Sequence, residues 1–153
     1  MHSSLTRCRI ITGERDEGKT TLLLRIASST ENPKGFVSLK TGSGYNLRNL
    51  ENGEERLLMT SSPLFPDRIG RWYYDASVFS WAEKVLLSLD NGMIFLDEIG
   101  KLELQGLGFA KALSSLLEKN TEVTITVRRE YLQAVIEAFR IDNPEIISVG
   151  ASL

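Results

Sequence analysis

The chain has 153 residues, of which 42% are hydrophobic and 25% charged, so we expect one folded domain over residues 1–153 and not a disordered segment. The formal net charge is −2 with Lys and Arg spread along the chain, which argues against a nucleic-acid-binding surface. A single cysteine excludes an internal disulfide, and neither a signal peptide nor a membrane-spanning run is recognisable, so we expect a cytoplasmic protein without a membrane partner.

The first half of the chain contains two predicted strands separated by a helix, followed by a hairpin. The run "CRIIT" (8–12) is short, apolar and rich in β-branched residues, which predicts a buried strand. A helix is predicted from Lys19, because "KTTLLLRIAS" places its apolar residues on one side. A second strand is predicted at 36–41, and two alternating stretches around an Asn-Gly pair predict a hairpin at 44–60.

The second half alternates helices with strands after a turn-rich loop at 61–70. Asp75 is placed to cap the first of these helices. The elements after it are a strand at 93–97, a helix over "LGFAKALSSLLEKN", a strand at 122–127, a helix over "EYLQAVIEAFR" and a strand at 145–149. This alternation predicts an α/β fold with a mainly parallel sheet and helices on both faces, and the hairpin at 44–60 is expected to add antiparallel strands at one edge.

A phosphate-binding loop is indicated between the first strand and the first helix. Gly13, Gly18, Lys19 and Thr20 meet the Walker A, or P-loop, pattern G-x-x-x-x-G-K-[ST]. In this motif backbone N–H groups surround the phosphates, the lysine contacts the terminal phosphates, the hydroxyl binds Mg²⁺ and the helix N-terminus faces the anion. The predicted nucleotide-binding residues are Gly13, Glu14, Arg15, Asp16, Glu17, Gly18, Lys19, Thr20 and Thr21.

The four residues between the two glycines are all charged, which is unusual beside a triphosphate. Because main-chain amides hold the phosphates, the side chains of Glu14, Arg15, Asp16 and Glu17 can point to solvent. Their carboxylates still repel a polyanion, so we expect weak nucleotide binding with a strong dependence on Mg²⁺.

An acidic pair after the apolar run "MIFL" is the second half of the predicted site. Asp97 stands at the carboxyl end of a buried strand, where ligands gather in open α/β sheets, and can hold Mg²⁺ together with Thr20. Glu98 follows it and is placed to orient and deprotonate an attacking water. This Walker B-like arrangement predicts catalytic roles for Glu98 and Lys19 and a metal site at Thr20 and Asp97.

Adjacent acids of this kind are typical of P-loop ATPases in which a further strand separates the P-loop strand from the aspartate strand. The run at 122–127 is the spare strand for that gap. The predicted strand order is 145–149, 8–12, 122–127, 93–97, 36–41. Arg128 would then emerge at the carboxyl end of the central strand, where it either stabilises charge on the γ-phosphate or remains a surface arginine.

Several other residues are weaker candidates for the site. Arg129, Arg71 and Lys40 could face the nucleotide, although most cations in such positions are solvated. The aromatic run Trp72, Tyr73, Tyr74 could stack on a base, and the alternative is a packing role in the core or in a lid.

The stretch "FLDEIGKLEL" (95–104) resembles the signature D-E-I-G-x-M-E-L of the THEP1-type nucleoside-triphosphatases, with Leu102 where Met is common. The order of P-loop, "GFVSLKT" with its hairpin and "GRWYYD" before a helix is similar too, so the resemblance covers about residues 8–150. The family's P-loop is usually built of small residues, from which this chain departs. The resemblance implies a small Mg²⁺-dependent P-loop enzyme that hydrolyses ATP, GTP and other nucleoside triphosphates slowly.

The same resemblance carries the family's roles onto Gly13–Thr20, Asp97 and Glu98, and extends them to Lys101 and Glu103. Two alternatives stay open beside a nucleoside-triphosphatase. A nucleotide or small-molecule kinase would need an acceptor pocket and a closing lid. A nucleotide-sensing adaptor with incidental turnover would use the predicted hairpin to bind a protein partner, which the sequence does not identify.

Overall fold

In the computed structural model, residues 7–14 and 18–150 are described, so Arg15, Asp16 and Glu17 of the predicted P-loop lie outside the described residues. The elements in chain order are β1 (Arg7–Gly13), α1 (Lys19–Ser28), β2 (Lys34–Thr41), β3 (Gly44–Asn49), β4 (Glu55–Thr60), β5 (Asp67–Ile69), β6 (Trp72–Tyr74), α2 (Ala76–Leu87), β7 (Asn91–Leu96), α3 (Lys101–Leu104), α4 (Ala110–Leu117), β8 (Asn120–Arg128), α5 (Leu132–Ala138) and β9 (Glu145–Ser148). Within the described ranges, no helix is both long enough and apolar enough to cross a membrane.

The nine strands form one mixed sheet in the order β5-β6-β4-β3-β2-β7-β8-β1-β9. The neighbours from β2 through β9 all pair in parallel, which confirms the predicted order 145–149, 8–12, 122–127, 93–97, 36–41. Because β8 lies between β1 and β7, the loop after β1 and the acidic pair after β7 are about two strand spacings, roughly 10 Å, apart at one edge of the sheet.

The antiparallel hairpin is present as β3 and β4, and the Asn52-Gly53 pair lies in its turn. The Asn52 side chain accepts a hydrogen bond from the Glu54 N–H at 2.9 Å, which fixes that turn. The hairpin is not at the edge of the sheet, however, because β6 pairs with β4 and β5 pairs with β6. These two strands have three residues each, too few for an alternating pattern to be recognised, and β5 lies within the loop predicted at 61–70.

Helices cover both faces of the sheet, as predicted. α1 packs on one face against Ile11, Val37 and Phe95. α2, α4 and α5 cover the other face, where Ile10 and Ile125 are fully buried. Neighbouring residues of a strand point to opposite faces, so both faces of the central strands are apolar. The sheet is therefore rigid where its carboxyl ends meet the candidate site.

The predicted cap of α2 is confirmed. The Asp75 carboxylate accepts a hydrogen bond from the Ser77 N–H at 3.0 Å, so it satisfies one of the unpaired amides of the first turn. The helix ends at Leu87, and the following Asn91-Gly92 pair begins β7.

Candidate active site

The two described ends of the P-loop are joined by Lys19. Gly18 has φ +93° just before α1, in the left-handed region that favours glycine, and a Cβ there would meet no atom of the described residues within 4 Å. Lys19 is only 7% exposed, and its Nζ donates a hydrogen bond to the backbone oxygen of Glu14 at 2.6 Å. The ammonium group thus spans the loop from one end to the other, at the place where the motif puts phosphates.

The start of α1 meets the end of β7 through a second hydrogen bond. The Thr20 hydroxyl donates to Oδ2 of Asp97 at 2.8 Å, although the two residues are 77 positions apart in the chain. The backbone N–H of Ser38 donates to the same oxygen at 3.1 Å. The hydroxyl and the carboxylate predicted to share a metal are therefore adjacent in space.

Thr126 of the central strand connects the two acids. Its hydroxyl donates to Oδ1 of Asp97 at 2.6 Å and accepts a hydrogen bond from the Glu98 N–H at 2.7 Å. Thr126 is not among the site residues predicted from the sequence, because a threonine within an apolar strand carries no motif. The available signal was a polar residue near the carboxyl end of a strand predicted to be buried.

The backbone at Glu98 is unusual. Its φ of +65° lies in the left-handed region, which costs an L-residue about 1–2 kcal/mol. Thr126 holds this conformation, because its hydroxyl binds the Glu98 N–H and its carbonyl accepts from the Ile99 N–H at 2.9 Å. The Glu98 residue is exposed, and it lines the same cavity as Lys19 and Asp97. Local backbone strain of this kind is concentrated at functional sites.

Asp97 is 1% exposed, and burial raises the pKa of its carboxyl group. Hydrogen bonds from Thr126, Thr20 and Ser38 and the positive charge of Lys19 oppose that rise in pKa. Both carboxylate oxygens are thus held by donors on three different strands or helices, and the side chain has one defined orientation.

Glu103 is a second buried acid, 4% exposed, in the short helix α3. Its two carboxylate oxygens accept hydrogen bonds from the N–H groups of Gly100 at 2.8 Å and Phe109 at 3.0 Å. Burial raises its pKa to about 7, the charge of Glu98 adds to the rise, and the N–H donors oppose it. Glu103 therefore ties the loop after Glu98 to the start of α4. This gives it a structural position beside the site, which the family resemblance had only indicated.

Arg128 is close to the P-loop because its strand register pairs it with Gly13. Its side chain is 31% exposed, lines the cavity and lies 3.5 Å from the Glu130 carboxylate. Arg129 points elsewhere, and its Nη1 donates to the Glu14 carboxylate at 2.8 Å. Of the two arginines, only Arg128 lines the cavity that also contains Lys19 and Glu98.

Some of the weaker candidate residues line the cavity and others do not. Lys40, Arg71 and Lys101 are exposed and line the cavity. Trp72 lines it as well, whereas Tyr74 is buried against Phe79 in the core. Thr21 is exposed in the first turn of α1.

Comparison with known proteins identifies the family of this chain. A family model described as NTPase matches residues 8–151. Nucleoside-triphosphatase THEP1 of Pyrococcus abyssi is 30% identical over 132 residues, which cover 78% of this chain and 73% of that protein. The protein of the same name from Sulfolobus acidocaldarius is 28% identical over 151 residues, covering 90% of this chain and 87% of that protein.

Among solved structures, THEP1 from the hyperthermophile Aquifex aeolicus has the same fold, with a TM-score of 0.72 at 21% identity over 93% of this chain and 89% of that one. A further relative, nucleoside-triphosphatase THEP1 of Thermotoga petrophila, is 28% identical over 130 residues, which cover 78% of this chain and 71% of that protein. This chain belongs to the NTPase family of the THEP1 proteins.

Proposed function

We propose that this protein is an Mg²⁺-dependent nucleoside-triphosphatase that releases phosphate from ATP, GTP and related nucleotides. The observation that carries the proposal is the 2.8 Å hydrogen bond between the Thr20 hydroxyl and the Asp97 carboxylate. It joins the first turn of the P-loop helix to the end of the aspartate strand. The names of the relatives support the same activity.

The donor set at this junction fits Mg²⁺. This ion prefers hard oxygen ligands and takes only one or two of them from the protein, with water and substrate phosphates supplying the rest. Thr20 and Asp97 offer a hydroxyl and a carboxylate oxygen at 2.8 Å, within reach of one small cation. When bound there, Mg²⁺ would neutralise charge on the β- and γ-phosphates. We propose Thr20 and Asp97 as its protein ligands.

We propose that Lys19 binds the terminal phosphates. Its ammonium is already desolvated and donates a hydrogen bond to the carbonyl oxygen of Glu14. A phosphate oxygen is a stronger acceptor for a cation than a carbonyl, so a bound triphosphate would take over this hydrogen bond. Phosphate oxygens would also accept hydrogen bonds from backbone N–H groups of Gly13–Thr21, the predicted nucleotide-binding segment.

Glu98 is the proposed general base. It would accept a proton from the water whose oxygen attacks the γ-phosphorus, while the bond to the β-phosphate oxygen breaks and the diphosphate leaves. Its backbone N–H is bound by the Thr126 hydroxyl, which also binds Asp97, and Glu98 lines the same cavity as Lys19 and Asp97. Arg128 is the proposed partner for the charge that develops on the transferred group, because its register brings it beside Gly13.

Loose base selectivity follows from the residues assigned to this site. All of them would contact phosphates, the metal or the attacking water, and none would contact the nucleobase. We propose the cytoplasm, where nucleoside triphosphates are abundant, as the place of this activity, and we propose no nucleic-acid partner.

Phosphate release from ATP and from GTP tests this function, with wild type measured beside Lys19→Ala and Glu98→Gln. Removal of the general base should reduce turnover by about 10²–10⁴-fold with nucleotide binding retained. Removal of the lysine should reduce both turnover and nucleotide binding. Lys111→Ala, an exposed lysine on α4, is the matched control and should behave like wild type. Turnover that persists in Glu98→Gln at the wild-type rate would overturn the assignment.

A further inference from the structure

Glu14 places a negative charge beside the proposed phosphate site. Its backbone oxygen accepts the 2.6 Å hydrogen bond from Lys19 Nζ. Its carboxylate belongs to the same residue, so a phosphate bound at Lys19 would lie only a side-chain length from that carboxylate. Physiological salt, with a Debye length of about 8 Å, screens charges at such separations only in part. A protein that binds a polyanion at Lys19 therefore needs a partner for the Glu14 charge.

Arg129 supplies such a partner. Its Nη1 donates a hydrogen bond to the Glu14 carboxylate at 2.8 Å, although the two residues are 115 positions apart in the chain. A guanidinium and a carboxylate at this distance form a charge-assisted hydrogen bond, which is stronger than one between neutral groups. The contact offsets one of the negative charges of the P-loop and directs the Glu14 side chain towards Arg129.

The strand register brings Arg129 next to the P-loop. β8 lies beside β1, and its last residue, Arg128, pairs with Gly13. Arg129 and Glu14 are the next residues of these two segments, so they leave adjacent parallel strands side by side. Neighbouring side chains of an extended segment point in opposite directions, and accordingly Arg128 lines the cavity whereas Arg129 contacts Glu14. The two arginines thus have separate places beside the nucleotide site.

A second hydrogen bond fixes the Arg129 guanidinium. Its Nη2 donates to the backbone oxygen of Val149, the residue after β9, at 3.4 Å. The Val149 N–H in turn donates to the backbone oxygen of Thr12 at 2.8 Å, just before the P-loop. The planar guanidinium of arginine has several donors and can serve two acceptors at once. Arg129 therefore joins the start of the P-loop to the end of β9, and its charge has a defined position.

We propose that Arg129 is a positioning residue for nucleotide binding, which holds the Glu14 carboxylate away from the Lys19 ammonium and so leaves that ammonium to the terminal phosphates. The inference rests on the nucleotide site proposed above. Once Arg129 is removed, the Glu14 carboxylate can take rotamers that face Lys19. A carboxylate is a stronger acceptor for an ammonium than a backbone carbonyl, so it would compete with phosphate there.

The test is a double-mutant cycle on the binding of a fluorescent ATP analogue with Mg²⁺. Arg129→Ala should weaken binding by about fivefold, which corresponds to about 1 kcal/mol, the upper end for a surface ion pair. Glu14→Gln removes the competing carboxylate but keeps the backbone oxygen. In that background the loss of Arg129 should therefore weaken binding by less than about twofold.

Turnover at saturating ATP separates positioning from damage to the site. Phosphate release by Arg129→Ala should stay within about twofold of wild type under this condition, since the proposed base and metal ligands are unchanged. A larger fall would indicate a distorted site and would contradict the positioning role.

Arg9→Ala is the matched control. Arg9 forms an ion pair of similar exposure with Glu145 at 3.2 Å, and it lies about 13 Å before Gly13 along β1. This variant loses the same charge as Arg129→Ala and should bind the ATP analogue like wild type.

Equal affinities of wild type and Arg129→Ala would overturn the inference and leave the nucleoside-triphosphatase standing. A loss of the same size with and without the Glu14 carboxylate would assign Arg129 to direct contact with the phosphates, and an equal loss in Arg9→Ala would reduce the effect to net charge. Either result would count against the positioning role. A wild-type protein that binds no nucleotide would contradict the proposed function itself.

Discussion

Polar side chains have different surroundings in the parallel half of the sheet (β2, β7, β8, β1 and β9) and in its antiparallel half (β3 to β6). In the parallel half, Asp97 accepts three hydrogen bonds and Lys19 is buried on a carbonyl oxygen. On the side of the antiparallel strands, the exposed cations Lys40 and Arg71 line the cavity that also contains Lys19 and Asp97. A network of hydrogen-bonded side chains suits a reaction whose geometry does not vary, while exposed charge beside open space suits recognition of a ligand. Glu98 lies at the boundary and faces both.

Among the substitutions that test this difference, we expect the largest loss of stability and turnover from a change at Thr126. Thr126→Val keeps the shape of the side chain but removes the hydroxyl that binds Asp97 and the Glu98 N–H. A buried carboxylate loses a donor and a strained amide loses its acceptor, so we expect a loss of about 2–4 kcal/mol in the free energy of unfolding. Displacement of Glu98 should lower turnover by about 100-fold.

Urea unfolding and phosphate release measure these two effects. Thr124→Val is the matched control, since Thr124 is a buried threonine two residues earlier on β8 and farther from the acids. If both valine variants behaved alike, the rigid network of the parallel half would not depend on Thr126.

The next effect concerns Glu103, which joins the loop after Glu98 to the start of α4 through Gly100 and Phe109. Its pKa is raised from 4.5 to about 7 in the folded protein. A raised pKa means that its contribution to stability is fully present below pH 4.5 and is lost as the pH rises to about 7. The pKa difference corresponds to about 3 kcal/mol.

Urea unfolding of wild type and Glu103→Gln across this pH window measures that linkage. The difference in unfolding free energy between the two proteins should change with pH, with wild type relatively more stable at the acid end. All other titrating groups are common to both proteins and cancel. Parallel stability curves would contradict a raised pKa at Glu103.

Variants of Gly18 and Gly42 separate the effect of backbone strain from an effect on nucleotide binding. Gly18→Ala and Gly42→Ala each place an L-residue in the left-handed region, at φ +93° and φ +44°, and neither new Cβ would meet an atom of the described residues within 4 Å. Both should therefore cost about 1–2 kcal/mol of unfolding free energy by backbone strain alone. Only Gly18→Ala should also weaken nucleotide binding, because Gly42 lies in the turn after β2. Equal nucleotide affinities, measured by fluorescence titration, would contradict a phosphate site at Gly18.

The smallest effect is expected at the surface pair of Arg129 and Glu14. Their side chains are 41% and 60% exposed, so the 2.8 Å contact should contribute less than about 1 kcal/mol to stability. Arg129→Ala should lower the midpoint of urea unfolding slightly at low salt and not at all at high salt. A large decrease in the urea midpoint that persists at high salt would contradict a merely surface role for this arginine.

The parallel half could be predicted from the sequence because its signals are local. A P-loop between a strand and a helix, and an acidic pair after an apolar run, gave the strand order before the structure was known. The antiparallel half was only partly predictable. The hairpin has an Asn-Gly turn, but β5 and β6 are shorter than any recognisable periodicity.

Within the site, the sequence could name side chains but not their partners. Thr126 and Ser38 reach Asp97 only because β8 and β2 flank β7, which is a property of the assembled sheet. The cavity was also beyond sequence reasoning, because Lys40, Arg71 and Lys101 come from three separate segments of the chain. Charges that are far apart in sequence line one cavity only once the topology brings them together.

The central claim is that α1 and β7 form one Mg²⁺-dependent nucleotide site through Thr20 and Asp97. It is tested most directly by titrating a fluorescent ATP analogue with and without Mg²⁺, in wild type, Thr20→Val and Ser28→Ala, which removes a hydroxyl from the other end of α1. The account predicts that Mg²⁺ strengthens binding in wild type and Ser28→Ala, and that Thr20→Val loses about tenfold of this gain. The same gain in all three proteins would contradict the account.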